Sequence, residues 1–275
     1  MPMREEAPRT VSFIMGALCG PDELGGLERA VRSVLTQSYA DLELLICDDG
    51  SSPEAKALLD ALAAEDGRIR MVRGASGKSH AAKLNACLRL AEGRYIARMD
   101  DDDESLPGRL AAQLGFLEQH PETAFVGCNT VISREERDVG TWTFPEYPRV
   151  EDFYIRQPFV HPTLVFRAEA LAAAGGYGEE KRCIKCEDYD LLLRLYEKGF
   201  YGANLQEFLF RYTIRADGKD GRSMGDRVCE TRTRWVRFRA LGRLPLALPF
   251  VVKPVLTGLI PQKALGLLKE KRLHA

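Results

Sequence analysis

The stretch YIARMDDDD, residues 95–103, joins an apolar run typical of a buried strand to four consecutive aspartates. Four neighbouring carboxylates repel one another unless a cation lies among them. One interpretation is a solvated acidic turn before a helix that begins near Leu106 and Pro107, because Asp is favoured before a helix and Pro at its first position. The other is a divalent-metal site at the carboxyl end of a strand, where open α/β sheets bind their ligands.

Short apolar runs alternate with segments of helical periodicity on both sides of this stretch. The alternation predicts an α/β fold with a doubly wound, mostly parallel sheet and right-handed crossovers. The predicted strands cover 11–17, 42–47, 68–72, 94–99 and 124–128, and the predicted helices cover 24–35, 53–64, 79–91 and 107–119, the third of them ended by Gly93.

A second pair of carboxylates, Asp48 and Asp49, follows the strand predicted at 42–47. Because parallel strands end at the same edge of a sheet, we expect this pair to lie near the acidic run. Its oxygens could accept hydrogen bonds from a base or a ribose. Lys83 and Asn85, early in the predicted helix at 79–91, could reach the same pocket. Each of these signals is weak alone, because aspartates are common at strand ends.

The second half of the sequence is less regular. Residues 141–148 are rich in aromatics and prolines and indicate a covering loop, and 161–167 are predicted to be extended. Glu187 and Asp188 open a helix with apolar residues at helical spacing. Carboxylates in a first turn are stabilised by the helix dipole, so their position alone does not require catalysis.

The composition describes a folded protein of 275 residues, 45% hydrophobic and 29% charged, with a formal net charge of -1. This length allows one large α/β domain or two small ones. From residue 227 onward there are eleven Lys or Arg against two Glu. A basic tail points to an anionic surface, membrane or nucleic acid. Since the whole-chain charge gives no argument for nucleic acid, we expect no nucleic-acid partner.

The apolar run 244–260 contains Pro249, Pro254 and Lys253, which disfavour an uninterrupted spanning helix. We expect an interfacial segment at the membrane surface, and the alternative is a C-terminal helix pair packed on the domain. The polar residues before Val11 do not form a signal peptide, so we expect a cytoplasmic protein, peripheral on the inner face of the membrane.

Seven cysteines, an odd number in largely apolar segments, favour reduced packed thiols over disulfides. Cys183 and Cys186 have the spacing of a zinc or redox pair, but a lone pair is weak support for either function.

Taken together, the motifs make the chain resemble a family 2 glycosyltransferase of the GT-A fold, an inverting class that uses nucleotide sugars and is found in bacterial exopolysaccharide, capsule and O-antigen biosynthesis. The resemblance covers about residues 10–215. The matching segments are SFIM (12–15), SVLTQSY (33–39), LICDDGSS (45–52), KLN (83–85), GRYIARMDDDD (93–103), SLP (105–107) with Arg109, HPT (161–163), GGY (175–177) and EDYDL (187–191).

The resemblance implies a nucleotide site on the first half of the chain. Asp48 and Asp49 would contact the uracil and ribose side of the nucleotide, with Lys83 and Asn85 nearby. Asp100 and Asp102 would form the DxD element that binds Mn²⁺ or Mg²⁺. Asp102 would be the direct ligand, and Asp100 would contact the ribose or support the metal ligand. The metal would hold the diphosphate.

The resemblance also implies a base and an acceptor side. Asp188, beside Glu187, would take a proton from an acceptor hydroxyl as that oxygen attacks the anomeric carbon, and His161 would lie on the acceptor side. Burial of the base would raise its pKa toward neutrality.

The chain departs from the family pattern at several points, among them Gly16, the more acidic loop with Asp101 and Glu104, and residues 231–235. Gly16 stands where the first strand usually ends in Pro, which weakens the expectation of a nucleotide contact there. Residues 231–235 only partly match the Gln-x-x-Arg-Trp element of processive members, since Thr231 replaces Gln. We therefore expect transfer of one sugar to a glycan or lipid-linked acceptor.

The predicted division is an N-terminal tail at 1–10, a GT-A domain at 11–223 and a basic, apolar helical extension at 224–275. The domain would comprise a nucleotide-binding half at 11–130 and a smaller mixed acceptor half at 131–223. The alternatives are a nucleotidyltransferase, whose phosphate loop would need Lys or Arg that residues 17–26 lack, and a non-catalytic nucleotide-sugar-binding module.

Overall fold

The computed structural model describes residues 10–72, 79–214 and 222–260. Nearly all of the predicted N-terminal tail and the last fifteen residues of the predicted extension lie outside these ranges. The strands are β1 Val11–Ala17, β2 Leu42–Asp48, β3 Ile69–Val72, β4 Tyr95–Met99, β5 Glu104–Ser105, β6 Thr123–Arg134, β7 Arg137–Trp142, β8 Val165–Arg167 and β9 Tyr201–Thr213. The helices are α1 Leu24–Leu35, α2 Pro53–Glu65, α3 His80–Leu88, α4 Arg109–Gln119, α5 Ala168–Ala174, α6 Glu187–Glu197, α7 Met224–Ala240 and α8 Leu244–Gly258.

All strands of the described residues belong to one sheet, in the order β3-β2-β1-β4-β8-β6-β9-β5, with β7 paired to β6. The first four strands are parallel, β8 is antiparallel to β4 and β6, and β9 is parallel to β6. The predicted doubly wound, mostly parallel α/β sheet is confirmed. The division of the domain into two halves stays a prediction, since one sheet runs through both.

Side chains that alternate along the strands enter two apolar cores, one on each face of the sheet. Phe13 and Met15 pack with helices α1, α2 and α4, whereas Ile14 packs with α3, α5 and α6. A strand buried on both faces has a nearly continuous apolar sequence, and β1 and β2 could be predicted for this reason.

Two local expectations are wrong. Residues 161–163 form a 3₁₀ turn led by Pro162 and only 165–167 are extended. Helix α3 ends at Leu88, and Gly93 instead lies against β1. A Cβ at Gly93 would stand 2.5 Å from the backbone nitrogen of Ser12, so the close approach of β1 requires glycine.

The described part of the predicted C-terminal extension, residues 224–260, forms two helices that pack on the domain, as the alternative prediction has it. Ala247 and Val251 of α8 share an apolar cluster with Phe238 of α7 and Tyr154. Both internal prolines lie within α8 without ending it, because this packing offsets the backbone hydrogen bonds they forgo. Over the described ranges, none of the helices combines the length and hydropathy needed to cross a bilayer.

Candidate active site

The ends of β2, β1 and β4 form the floor of a polar cleft. Asp48 pairs with Ala17 across β2 and β1, and Met99 pairs with Met15 across β4 and β1. Asp48 and the acidic run therefore emerge at one edge of the sheet, on either side of the end of β1, as the sequence predicts.

Lys83 holds two of these strand ends together. Its ammonium is buried and donates to the carbonyl oxygens of Ala17, at 2.9 Å, and Asp49, at 3.2 Å. The Oδ1 atom of Asp48 is buried and has no hydrogen-bond partner among the described residues. A buried acceptor without a donor is costly, so this atom fits a ligand N–H or O–H.

The four aspartates after β4 have different environments. Asp101 accepts a hydrogen bond from the Leu18 nitrogen at 2.7 Å, and the buried Asp103 accepts one from the Thr213 nitrogen at 2.7 Å. These contacts fasten the loop to β1 on one side and to β9 on the other. Asp102 is the exposed member of the run.

Arg98 supplies the positive charge beneath the run. Its guanidinium, only 2% exposed, donates to Asp100 and to the Met99 carbonyl, and its Nη2 lies 2.7 Å from His80 Nε2. Arg98 and Asp100 are two residues apart at the end of a strand and so share a face. A Cβ at Gly16 would stand 3.1 Å from the His80 ring, so the departure from proline at Gly16 accompanies a histidine packed over β1.

The pKa values follow this charge pattern. Burial alone would raise the pKa of Asp100, but the Arg98 guanidinium outweighs it and holds the pKa below the ordinary value. Partial removal from water, then Asp100 and Asp101, raise the pKa of Asp102 to about 7. Burial and the Arg98 charge lower the pKa of His80 to about 4, so its ring is neutral near pH 7 and accepts the Arg98 hydrogen bond.

The acidic loop fits a divalent cation. Asp102 is an exposed carboxylate whose pKa is raised by partial removal from water and then by the neighbouring carboxylates; a nearby cation would favour its ionised form, and carboxylate oxygens suit Mg²⁺ and Mn²⁺. In residues 10–72, 79–214 and 222–260, no three His, Cys, Asp or Glu side chains converge to hold a metal by themselves. Substrate phosphate oxygens and water would therefore complete the coordination.

The opposite wall of the cleft comes from the second half of the chain. His161 is buried, and its Nε2 lies 3.1 Å from the Tyr177 hydroxyl. Burial, then Arg98, lower the pKa of His161 well below its ordinary value. Arg98 is thus in electrostatic range of both walls.

Asn85 forms hydrogen bonds with Tyr177 and Glu179 of the same wall. Its amide donates to the Tyr177 carbonyl at 2.9 Å and to Glu179 at 2.8 Å, and it accepts from the Tyr177 nitrogen at 2.8 Å. The Asn85 amide is therefore occupied by contacts that fix the 176–179 turn. The predicted nucleotide contact of Asn85 stays a prediction.

Glu187 and Asp188 occupy the first turn of α6, as predicted. Burial raises the pKa of Asp188, opposed by the hydrogen bond from the Tyr189 nitrogen at 2.7 Å. Burial, then Asp188, raise the pKa of Glu187 to about 7. Tyr212, whose pKa is raised by burial, is within electrostatic range of both Asp102 and Asp188, so the acidic loop and the first turn of α6 lie near each other.

The cysteines take no visible part in this cleft. All seven are free, and six are buried. Cys183 donates to Glu180 at 3.5 Å, and Cys186 Sγ lies 3.3 Å from the Arg182 carbonyl oxygen. Burial raises the pKa of Cys183 to about 12, which opposes thiolate chemistry.

Sequence reasoning assigned no role to Arg98, His80 or Tyr177. A signal for Arg98 was present: an arginine inside an apolar strand, two residues before an aspartate, points to a buried ion pair. His80 and Tyr177 gave no comparable signal, because their partners are distant in the chain.

A sheet of this topology, with an acidic loop after β4 and carboxylates opening α6, defines the GT-A class of glycosyltransferase folds. The model of the family described as Glycosyl transferase family 2 matches residues 22–171. EpsE of Bacillus subtilis (strain 168), named as a glycosyltransferase, is 34% identical over 249 residues, which are 90% of this chain and 89% of that protein. The chain belongs to glycosyl transferase family 2.

Solved structures agree with this fold. TarS 1–349 of S. aureus in complex with UDP-GlcNAc superposes with a TM-score of 0.69 at 16% identity, over 89% of this chain and 73% of that one. The mannosyltransferase PcManGT of Pyrobaculum calidifontis, in complex with GDP-Man and Mn²⁺, gives 0.58 at 17% identity, over 97% of this chain and 80% of that one. At such identities the likeness shows the GT-A fold alone.

Proposed function

We propose that this chain is a metal-dependent, inverting glycosyltransferase that moves one sugar from a nucleoside-diphosphate sugar, with UDP as the nucleotide, to a hydroxyl group of a glycan or lipid-linked glycan. The observation that carries this proposal is the proximity of the Asp100–Asp102 loop to the Glu187–Asp188 turn: Arg98 contacts Asp100 and is within electrostatic range of Glu187, and Tyr212 is within electrostatic range of Asp102 and Asp188.

The donor binds at the carboxyl edge of β1, β2 and β4. Asp48 and Asp49 accept hydrogen bonds from the base and ribose, and the buried, unpartnered Oδ1 of Asp48 supports this role. Lys83 acts by holding the carbonyls of both loops. UDP as nucleotide is supported by the UDP-GlcNAc bound to TarS, and GDP is the competitor because PcManGT binds GDP-Man.

The metal ligand on the protein is Asp102, with Asp100 held behind it by Arg98. A bound Mn²⁺ or Mg²⁺ would offset the charge that builds on the departing diphosphate. Asp102 is suited to this contact because it is the exposed carboxylate of the run, whereas Asp101 and Asp103 are hydrogen-bonded to backbone nitrogens.

Asp188 is the general base. It takes the proton of an acceptor hydroxyl while that oxygen bonds to the anomeric carbon and the bond to the diphosphate oxygen breaks. One displacement inverts the anomeric configuration. The raised pKa of Asp188 brings its basicity closer to that needed for proton transfer near neutral pH. Glu187 lies beside it, and His161 with Tyr177 forms the acceptor-side wall.

The acceptor reaches the enzyme at a membrane surface. Leu246 and Leu256 of α8 and Leu259 just after it face solvent, with exposed fractions of 68%, 56% and 70%, and Arg243 before the helix is exposed. An apolar helical face with basic residues suits peripheral contact with anionic lipid and hence a lipid-linked acceptor. Transfer of one sugar is supported by Thr231 at the first position of the processive element.

A donor screen tests the proposal. The purified chain is incubated with UDP-glucose, UDP-N-acetylglucosamine or GDP-mannose, with Mn²⁺ or EDTA, and nucleotide release and thermal stability are measured. We expect a UDP-sugar to raise the melting temperature and be turned over with Mn²⁺ but not with EDTA. Asp102→Ala should lose the Mn²⁺-dependent part of UDP affinity.

Equal UDP affinity with and without Mn²⁺ would remove the metal from the proposal. Metal-dependent binding of UDP-sugars, without turnover when lipid-linked and soluble acceptors are supplied, would indicate the non-catalytic binding module instead.

A further inference from the structure

Helix α7 contacts the chain both before and after Asp188. It lies beyond the segment matched by the family model. Thr233 donates to the Arg182 carbonyl at 2.8 Å and accepts from the Cys186 thiol at 3.6 Å. The Arg234 guanidinium lies 4.5 Å from the centre of the Tyr189 ring. Residues just before and just after the base are therefore held by α7.

Asp190, two residues after the base, is the centre of this contact. Its carboxylate has no exposed surface and accepts hydrogen bonds from three arginines of different segments. Arg182, before α6, donates to Oδ1 at 2.7 Å, Arg194 of α6 donates to Oδ2 at 2.8 Å, and Arg237 of α7 donates to Oδ1 at 2.8 Å. A buried carboxylate keeps its place only while such donors remain.

The Asp190 cluster also contacts the acceptor-side wall, through Arg194. Arg194 also donates to the Gly176 carbonyl at 2.6 Å, next to Tyr177, whose backbone is held by Asn85. Asp190 is therefore linked by hydrogen bonds both to the turn that carries Asp188 and to the segment of Tyr177, which contacts His161.

We infer that Arg237 is a positioning residue: through Asp190 it sets the base-bearing turn of α6, so that the C-terminal extension is part of the catalytic apparatus as well as a membrane contact. This inference rests on the proposed role of Asp188. A general base must lie within hydrogen-bond reach of its proton, and a displacement of about 1 Å can cost on the order of a hundredfold in rate.

The test compares Arg237→Met with Arg237→Lys and with Arg239→Met, a control on the exposed side of the same helix. Turnover of the UDP-sugar active in the donor screen, UDP affinity with Mn²⁺ by calorimetry, and amide hydrogen exchange of residues 183–192 are measured on the full chain. Arg237→Met should lower kcat at least about tenfold, change UDP affinity less than about twofold, and speed exchange in that segment. Arg237→Lys should recover part of kcat, and Arg239→Met should behave as wild type.

Unchanged kcat and exchange in Arg237→Met, or equal losses of kcat and UDP affinity, would overturn the inference. If Arg237→Met does not fold, Arg237→Gln takes its place in the same comparison. Asp188→Asn separates the two proposals: if it leaves turnover intact, the proposed function of the base fails, whereas loss of turnover there with a normal Arg237→Met refutes the positioning role alone.

Discussion

Arg98 explains how four aspartates share one loop. Its guanidinium donates a hydrogen bond to Asp100. Asp101 and Asp103 accept hydrogen bonds from the backbone nitrogens of Leu18, just after β1, and Thr213 of β9. Asp102 is the most exposed member of the run. Arg98 therefore offsets part of the negative charge on the buried side of the loop. Asp102 remains on the exposed side, where a metal and a diphosphate would bind.

Replacing Arg98 with Met should destabilise the folded state. The substitution keeps the apolar length but leaves Asp100 without its buried partner, and breaking such a pair costs about 3–5 kcal/mol. Since Asp100 is 28% exposed, we expect the lower end, about 3 kcal/mol, in the free energy of unfolding from urea titration at neutral pH.

Arg94→Met is the matched control, because Arg94 is an exposed arginine next to the same strand. It should change stability by less than about 1 kcal/mol. Adding Asp100→Asn to Arg98→Met should recover part of the loss, as expected for residues in contact. Equal effects of Arg98→Met and Arg94→Met would show that the buried pair does not support the loop.

At the scale of elements, α8 has two apolar faces with different surroundings. Ala247 and Val251 are buried against the domain, whereas Leu246 and Leu256 face solvent. A helix that only capped the domain would not need the second face, and several exposed apolar side chains on one helix suit an interaction surface. The proposed partner of this face is an anionic membrane.

The double variant Leu246→Glu/Leu256→Glu should lose membrane contact. Acidic side chains on this face oppose both apolar insertion and attraction to anionic lipid. Co-sedimentation with vesicles of phosphatidylglycerol and phosphatidylethanolamine should fall at least about fivefold, with thermal stability unchanged. Leu90→Glu, at an exposed leucine outside α8, is the control; binding that survives the double variant or falls equally in the control would refute a membrane role for α8.

Element prediction succeeded where burial gives an unbroken signal. Strands β1, β2 and β4 are buried at every position but Asp48, and helix α2 begins at Pro53, the predicted first residue. Strand β9 escaped prediction because its pairing with β6 shifts register at several points and Gln206 and Glu207 lie in its middle. Such irregularities remove the alternation by which a strand is recognised.

At the scale of the whole molecule, parallel topology made part of the site predictable. Strand ends that follow one another in a parallel sheet must share an edge, so Asp48 and Asp100 could be placed together from sequence. The contacts of Asn85 could not, because its partner Tyr177 is 92 residues away. The contact between Asp190 and Arg237 likewise depends on how α7 returns to α6.

We propose that the loop after β4 binds the donor and that the first turn of α6 performs the chemistry in the same cleft. The variant Asp188→Asn tests this division of roles most directly. The measurement is UDP affinity with Mn²⁺, by calorimetry, beside the rate of sugar transfer for the same preparation. Affinity should stay within about twofold of wild type while turnover falls by about 10²–10⁴-fold, the range for loss of a general base. Unchanged turnover, or a loss of UDP affinity as large as the loss of rate, would contradict the account.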